Sequence, residues 1–318
     1  MLEATTETAS TTDQPKARAV RSGSMQPTNY DMLVWRTLNR ALRVPGANED
    51  NLAERLRNEL MPVRSWCMQY VPGFNYRMKG QLGRTMPGAV NYVDSRTTWL
   101  DTRVKEATRG GIMQVVVIAA GFDTRAYRLH APGVQFYEVD LPHASTKKQE
   151  LVTRLKLLPR EAVPPTYAGA DLSVESLSDV LSRAAFDAAR PALFTIEGLL
   201  YYLPAAAVEK LFRSVASIAA PGSRVCFDFL DSDVLEGRAD GTGFESAVRV
   251  VQSKDEPFVS GLKASAEGIA AFSESVGLKL QRFVSAQELA KAAFGAQVWT
   301  NACLPTISFM AGAELCKA

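Results

Sequence analysis

Histidine and cysteine are scarce in this chain of 318 residues: two histidines, His130 and His143, and four cysteines, Cys67, Cys226, Cys303 and Cys316. The cysteines show no CxxC spacing, and with so few imidazoles a zinc or non-haem iron site lacks ligands, so no metal is expected. Scattered thiols suit a reducing compartment, and the chain reads as cytoplasmic. No run of about eighteen apolar residues occurs, which excludes a spanning helix, and no membrane partner is expected. A surplus of one charge is also missing, with 36 Lys and Arg against 34 Asp and Glu. A protein held on nucleic acid by phosphate neutralisation would be more basic, so nucleic acid is not expected as a partner either.

What remains is ordinary globular material, 47% hydrophobic and 22% charged, enough for one large domain or two small ones. Residues 1–24 are rich in Thr, Ser and Ala, and they lack the apolar segment of a signal peptide. Their acids Glu3, Glu7 and Asp13 fit a transit peptide badly; they read as a disordered tail, a cleaved leader being the other possibility. From residue 25 to 110 the apolar period is helical, ending at the Gly110-Gly111 pair. This part is expected to form a cap, with the Gly/Pro-broken stretch from Gly73 to Gly88 as a lid. Beyond it, short apolar runs alternate with helical stretches through residues 111–318. The strand candidates are "QVVVIAA" (114–120), "VQFYEVD" (134–140), "PALFTIE" (191–197), "SRVCFDFL" (223–230) and "PTISFMAG" (305–312). Such alternation predicts an α/β fold, a doubly wound and mostly parallel sheet covered on both faces.

In such a sheet a ligand lies beyond the carboxyl ends of the strands, where strand order reverses. The first run breaks there on Ala119-Ala120-Gly121 and continues as Asp123-Thr124-Arg125. Acids recur at the ends of the others: Glu138 and Asp140, Asp171 followed by Leu172, and Glu197. Gly121 precedes Asp140 by 140 − 121 = 19 residues, a separation suited to a carboxylate that accepts both hydroxyls of an adenosine ribose. The turn is not GxGxxG, and an acid at 123 would repel a pyrophosphate. Adenosine without phosphate fits better, and S-adenosylmethionine is such a ligand. Two other readings stand beside it: an NAD(P)-dependent oxidoreductase on a similar sheet, and a cofactor-binding protein without turnover.

The pieces "VVVIAAGFDTRAYRL", "YEVDLP", "ADLS" and "IEGLLYYLP", in this order, resemble the leucine carboxyl methyltransferase-like branch of the class I S-adenosylmethionine-dependent O-methyltransferases. The resemblance covers roughly residues 85 to 285. It implies a Rossmann-like fold in which the α/β core binds S-adenosyl-L-methionine. Arg96 would grip the carboxylate of the methionine moiety, and Ala119, Ala120 and Gly121 would pass their backbone beneath it. The family often has glycine where Ala119 stands. Asp140 would hold the ribose, Asp171 and Leu172 the adenine end, and Glu197 would lie near the ammonium and the acceptor. Catalytic candidates are Glu197, Tyr201 and His143; Tyr201 and Tyr202 could equally be core packing, and His143 a helix-capping residue. Asp123 and Arg125 are either an internal ion pair bracing the turn or ligand contacts. The acceptor would be a carboxylate or hydroxyl of a small molecule or a peptide C-terminus. Oligomeric state is not legible.

Overall fold

The computed structural model describes residues 27–296, 300 and 304–318. The expected tail and Cys303 lie outside the described residues. Five helices open the chain: α1 (Pro27–Ala41), α2 (Asn51–Leu60), α3 (Pro62–Tyr70), α4 (Phe74–Thr85) and α5 (Ala89–Arg109). The stretch read as a Gly/Pro-broken lid is thus mostly α4. Gly73 and Gly88, both at positive φ, sit at its two ends and reverse the chain before α4 and before α5.

The remainder alternates strand and helix. It runs β1 (Gln114–Ile118), α6 (Arg125–Arg128), β2 (Gln135–Asp140), α7 (Pro142–Leu155), β3 (Thr166–Gly169), α8 (Leu177–Arg183), β4 (Ala192–Ile196), a 3-10 turn at Leu200–Tyr202 and α9 (Ala205–Ile218). Then come β5 (Arg224–Leu230), α10 (Ser232–Leu235), α11 (Phe244–Gln252), α12 (Ala266–Ser275), β6 (Lys279–Ser285), α13 (Ala286–Phe294) and β7 (Met310–Cys316). The seven strands form one sheet in the order β3-β2-β1-β4-β5-β7-β6. All neighbours are parallel except β7, which runs antiparallel to β5 and β6. This is the expected doubly wound, mostly parallel Rossmann-like α/β sheet.

The strands look alike in sequence because both faces are covered. In β1, Val115 and Val117 join a core shared with Trp99, Leu100 and Val104 of α5. Val116 and Ile118 pack on the other face with residues of α8, α9 and α12 such as Leu181, Phe212 and Ile269. A continuous apolar run is the consequence. Helix α5 buries 15 residues, so this last of the opening helices belongs to the covering layer of the sheet.

The last strand lies later than expected. Residues 305–309 form no strand, and pairing begins at Met310, opposite Leu230. Antiparallel register with all of β5 recruits the polar end of the chain, including Glu314, whose charge is met by Arg103 and Arg224 at 3.4 Å each. Strands β3 and β6 carried no clear signal: β3 has four residues, and β6 at the sheet edge is largely exposed or half-buried.

Candidate active site

The carboxyl ends of β3, β2, β1 and β4 stand side by side, and each delivers a residue singled out in the sequence. β1 stops where Ala119 takes a φ of 54°, a left-handed conformation uncommon for a residue with a Cβ. Gly121 follows at a φ of 37°. The backbone N–H of Gly121 donates to Asp140 Oδ2 at 2.6 Å, and the N–H of Leu141 donates to Asp140 Oδ1 at 2.7 Å. The acid at the end of β2 is thus locked against the turn after β1. No ion pair engages Asp140 among the described residues. At the end of β3, Asp171 accepts from the N–H of Ser173 at 2.9 Å and closes a turn with half-buried Leu172. It does not cap the following helix; Ser176 does that. The Ser173 bonds hold the Asp171 carboxyl below its usual range.

Left-handed alanine costs about 1–2 kcal/mol relative to right-handed backbone, offset in part by the greater chain entropy of glycine. The variant Ala119→Gly is therefore expected to match or exceed the parent in stability, by up to about 1 kcal/mol. Urea unfolding checks this; a clear loss would show that the Ala119 methyl packs usefully.

A second constellation surrounds β4. Glu197 follows this strand and lies between two guanidiniums, with Arg96 at 2.9 Å and Arg125 at 2.6 Å. Burial opposes its ionisation, but Arg125, Arg96 and Arg36 outweigh it and hold the carboxyl well below the ordinary glutamate range. Arg96, on α5, also donates to Asp228 at 2.6 Å and to the Tyr201 hydroxyl at 3.4 Å. Asp228, within β5, accepts the Gly198 N–H at 2.7 Å. Burial pushes the Asp228 carboxyl up against Arg96 and this N–H. Burial and the Asp228 charge likewise push the Tyr201 phenol well above its usual value. Neither Glu197 nor Tyr201 is therefore a ready proton acceptor at neutral pH. His143, in the first turn of α7, is half-buried three residues past Asp140.

Arg125 fastens the turn from below. It pairs with Asp123, with Asp101 at 2.8 Å and with Glu197. The ion pair between Asp123 and Arg125 that was one of two expectations is present. Asp123 also accepts the Arg125 backbone N–H at 2.7 Å, so the start of α6 already has a resident carboxylate. From there the network continues through Arg128 to Asp101 and Asp50, and Asp50 reaches Arg36 and Thr124. It ties helices α1 and α2 to the turn. Asp228, Asp101, Asp50, Arg36 and Arg128 had not been singled out. Asp228 alone left a sequence signal, a charge inside the apolar run "VCFDFL".

Above Arg96 and Tyr201 lies a cavity of about 60 Å³, walled mainly by apolar side chains including Met32, Trp35, Phe258 and Phe309. Arg96 and Tyr201 therefore face both the charge network and the cavity. His143 does not line it.

Residues 32–216, more than half of the chain, match the family model described as leucine carboxyl methyltransferase. The chain belongs to the leucine carboxyl methyltransferase family. Among relatives, a protein of Mycobacteroides abscessus provisionally named an S-adenosyl-L-methionine-dependent methyltransferase is 42% identical over 146 residues, 46% of this chain and 47% of the relative. A second from the same organism, under the same provisional name, is 35% identical over 182 residues, 54% and 56% of the two chains. This family member spans about half the length of the curated relatives it matches. Its fold is also that of a DUF574-family protein from Streptomyces avermitilis, with a TM-score of 0.52 and 18% identity over 77% of this chain and 90% of the other.

Proposed function

We propose that this protein is an S-adenosylmethionine-dependent O-methyltransferase whose acceptor is a carboxylate, or a hydroxyl, of a small molecule or peptide C-terminus. The observation that carries the reading is Asp140. A carboxylate has about four lone-pair sites. The Gly121 and Leu141 N–H groups use two, which leaves a pair for the two hydroxyls of a ribose. The provisional names of the relatives support the choice of S-adenosylmethionine.

The residues present fit that ligand. Arg96 and Glu197, opposite charges 2.9 Å apart, match the carboxylate and ammonium of an amino-acid end. Ala119, Ala120 and Gly121 supply backbone beneath it, and Asp171 with Leu172 borders the adenine side. A pyrophosphate suits the site less well, because Asp123 already occupies the start of α6. That counts against the NAD(P) alternative. Bound here, S-adenosylmethionine supplies an electrophilic methyl on a sulfonium.

The chain's own task is to orient the acceptor and exclude water. The mainly apolar side chains around Arg96 and Tyr201 offer few groups to hold water beside the acceptor. Tyr201, which accepts from Arg96 at 3.4 Å and keeps its own proton, takes no proton from the acceptor. Glu197, held as a carboxylate by two arginines, balances charge. With both unsuited to be bases, an acceptor already ionised at neutral pH needs no further residue, which favours a carboxylate over a hydroxyl. A hydroxyl acceptor would call on His143.

The test is equilibrium binding by calorimetry. The parent is expected to bind S-adenosylhomocysteine and not NADH. Asp140→Ala should weaken that binding about 5- to 150-fold, the equivalent of about 1–3 kcal/mol for charge-assisted hydrogen bonds. Unchanged affinity in the variant, or affinity for NADH alone, would overturn the proposal.

A further inference from the structure

Away from the site, the helical pair α3–α4 has an unusual surface. Between Glu59 and Asp94 the chain contains no acid and four cations, Arg64, Arg77, Lys79 and Arg84. Val63, Trp66 and Tyr70 recur at i, i+3 and i+7, which sets them along one face of α3. That face is bare: Val63 is 77% exposed, Trp66 57% and Tyr70 61%, and Tyr76 on α4 is 72% exposed. The Trp66 and Tyr70 rings lie together, with centroids 5.9 Å apart. Helix α4 buries none of its residues completely, resting on the core through half-buried Phe74, Met78 and Leu82. Arg77 and Arg84 are exposed, and no ion pair engages them among the described residues. Lys79 is different, since it turns inward to Asn39 at 2.6 Å.

We infer that α3 and α4 form a docking face for an anionic lipid surface, with Trp66, Tyr70 and Tyr76 at headgroup depth and Arg77 and Arg84 against the phosphates. Tyrosine and tryptophan are the side chains whose apolar body and polar tip suit that layer. Interfacial helices combine such a face with arginine or lysine. Charge also argues against a second copy of this chain. A two-fold contact would bring arginines onto arginines, with no acid in the segment to pair them. The expectation of no membrane partner rested on the lack of a spanning run. Among the described residues no helix is long and apolar enough to cross a membrane, but docking needs only one face. The inference stands apart from the methyl-transfer proposal, because it invokes neither cofactor nor acceptor.

The test is co-sedimentation of the full chain with vesicles of phosphatidylcholine alone and of phosphatidylcholine mixed with phosphatidylglycerol. Binding is expected to the mixed vesicles and to be lost at about 1 M salt, where the screening length is about 3 Å. Arg77→Ala and Arg84→Ala should each weaken it about fivefold. The double variant Trp66→Ser, Tyr70→Ser should abolish it, while its circular dichroism and its affinity for S-adenosylhomocysteine stay those of the parent. Equal binding to both vesicle types would overturn the inference, as would no binding to either. Variants that bind like the parent would also overturn it. So would a dimer in sedimentation equilibrium that the same substitutions dissociate, since the face would then be a protein interface.

Discussion

Replacing Arg125 by methionine is expected to destabilise the protein by about 3–5 kcal/mol, the usual cost of removing one partner from a buried ion pair. The guanidinium is 1% exposed and faces three carboxylates, those of Asp123, Asp101 and Glu197. Arg128 remains beside Asp101, and Arg96 beside Glu197, so these two keep a counter-charge. Asp123 keeps none among its ion pairs, although it still accepts the backbone N–H at residue 125. Taking away that orphaned charge in the double variant Arg125→Met, Asp123→Asn should recover part of the loss. By contrast, Arg238→Met removes a solvent-exposed cluster with Asp233 and Glu236 and should leave the unfolding midpoint unchanged. Urea titration of the three variants decides the matter. An Arg125→Met protein within about 1 kcal/mol of the parent would mean that the network does not brace the turn.

The second large effect concerns pH. Glu138 sits inside β2, and burial pushes its carboxyl from 4.5 up to about 7, against Lys148 at 2.9 Å. The charge of Asp123 adds to the upward push, while the Tyr127 hydroxyl, 3.1 Å away, opposes it. One oxygen, Oε1, is buried without a hydrogen-bond partner. Because the folded value lies above the unfolded one, the native state binds this proton more tightly. The resulting stabilisation is complete below about pH 4.5 and is lost as pH rises through about 7. At 1.36 kcal/mol per unit it amounts to about 3 kcal/mol. Glu138→Gln should therefore remove a downward slope of stability across that window. Asp94, raised by burial to about 6, contributes to the same window in parent and variant alike, so the difference between the curves isolates Glu138. Parallel curves would refute the assignment. Lys148 also donates to the carbonyl of Ala120 at 3.2 Å, which makes this pair a second support of the turn after β1.

Both predictions concern groups with uneven traces in the sequence. Strand β1 was legible because a parallel strand covered on both faces must be apolar throughout, and its break on Ala-Ala-Gly marked the turn. Asp140 was legible because its distance from Gly121 is set by one helix and one strand, a local length. The pairing of Asp123 with Arg125 could be entertained because the two are neighbours in the chain. Asp101 and Asp50 were not legible: they reach Arg125 and Arg128 across 24 and 78 residues (125 − 101; 128 − 50), and nothing local distinguishes them from surface acids. Strand β7 was displaced in the reading for a similar reason. Its polar residues are tolerated only because Arg103 and Arg224 arrive from elsewhere.

The amino-acid order by itself determined the class of fold, the sheet edge where the turn and acids gather, and the family. Those follow from periodicity, turn chemistry and residues adjacent along the backbone, all short-range properties. Only the tertiary structure decided that Glu197 is held between two arginines, that Tyr201 keeps its proton, and that Arg96 faces an apolar cavity. These depend on burial and on charges brought from α5, α6 and β5. A side chain's protonation and reach are set by the groups around it in space, and the one-dimensional order does not state them.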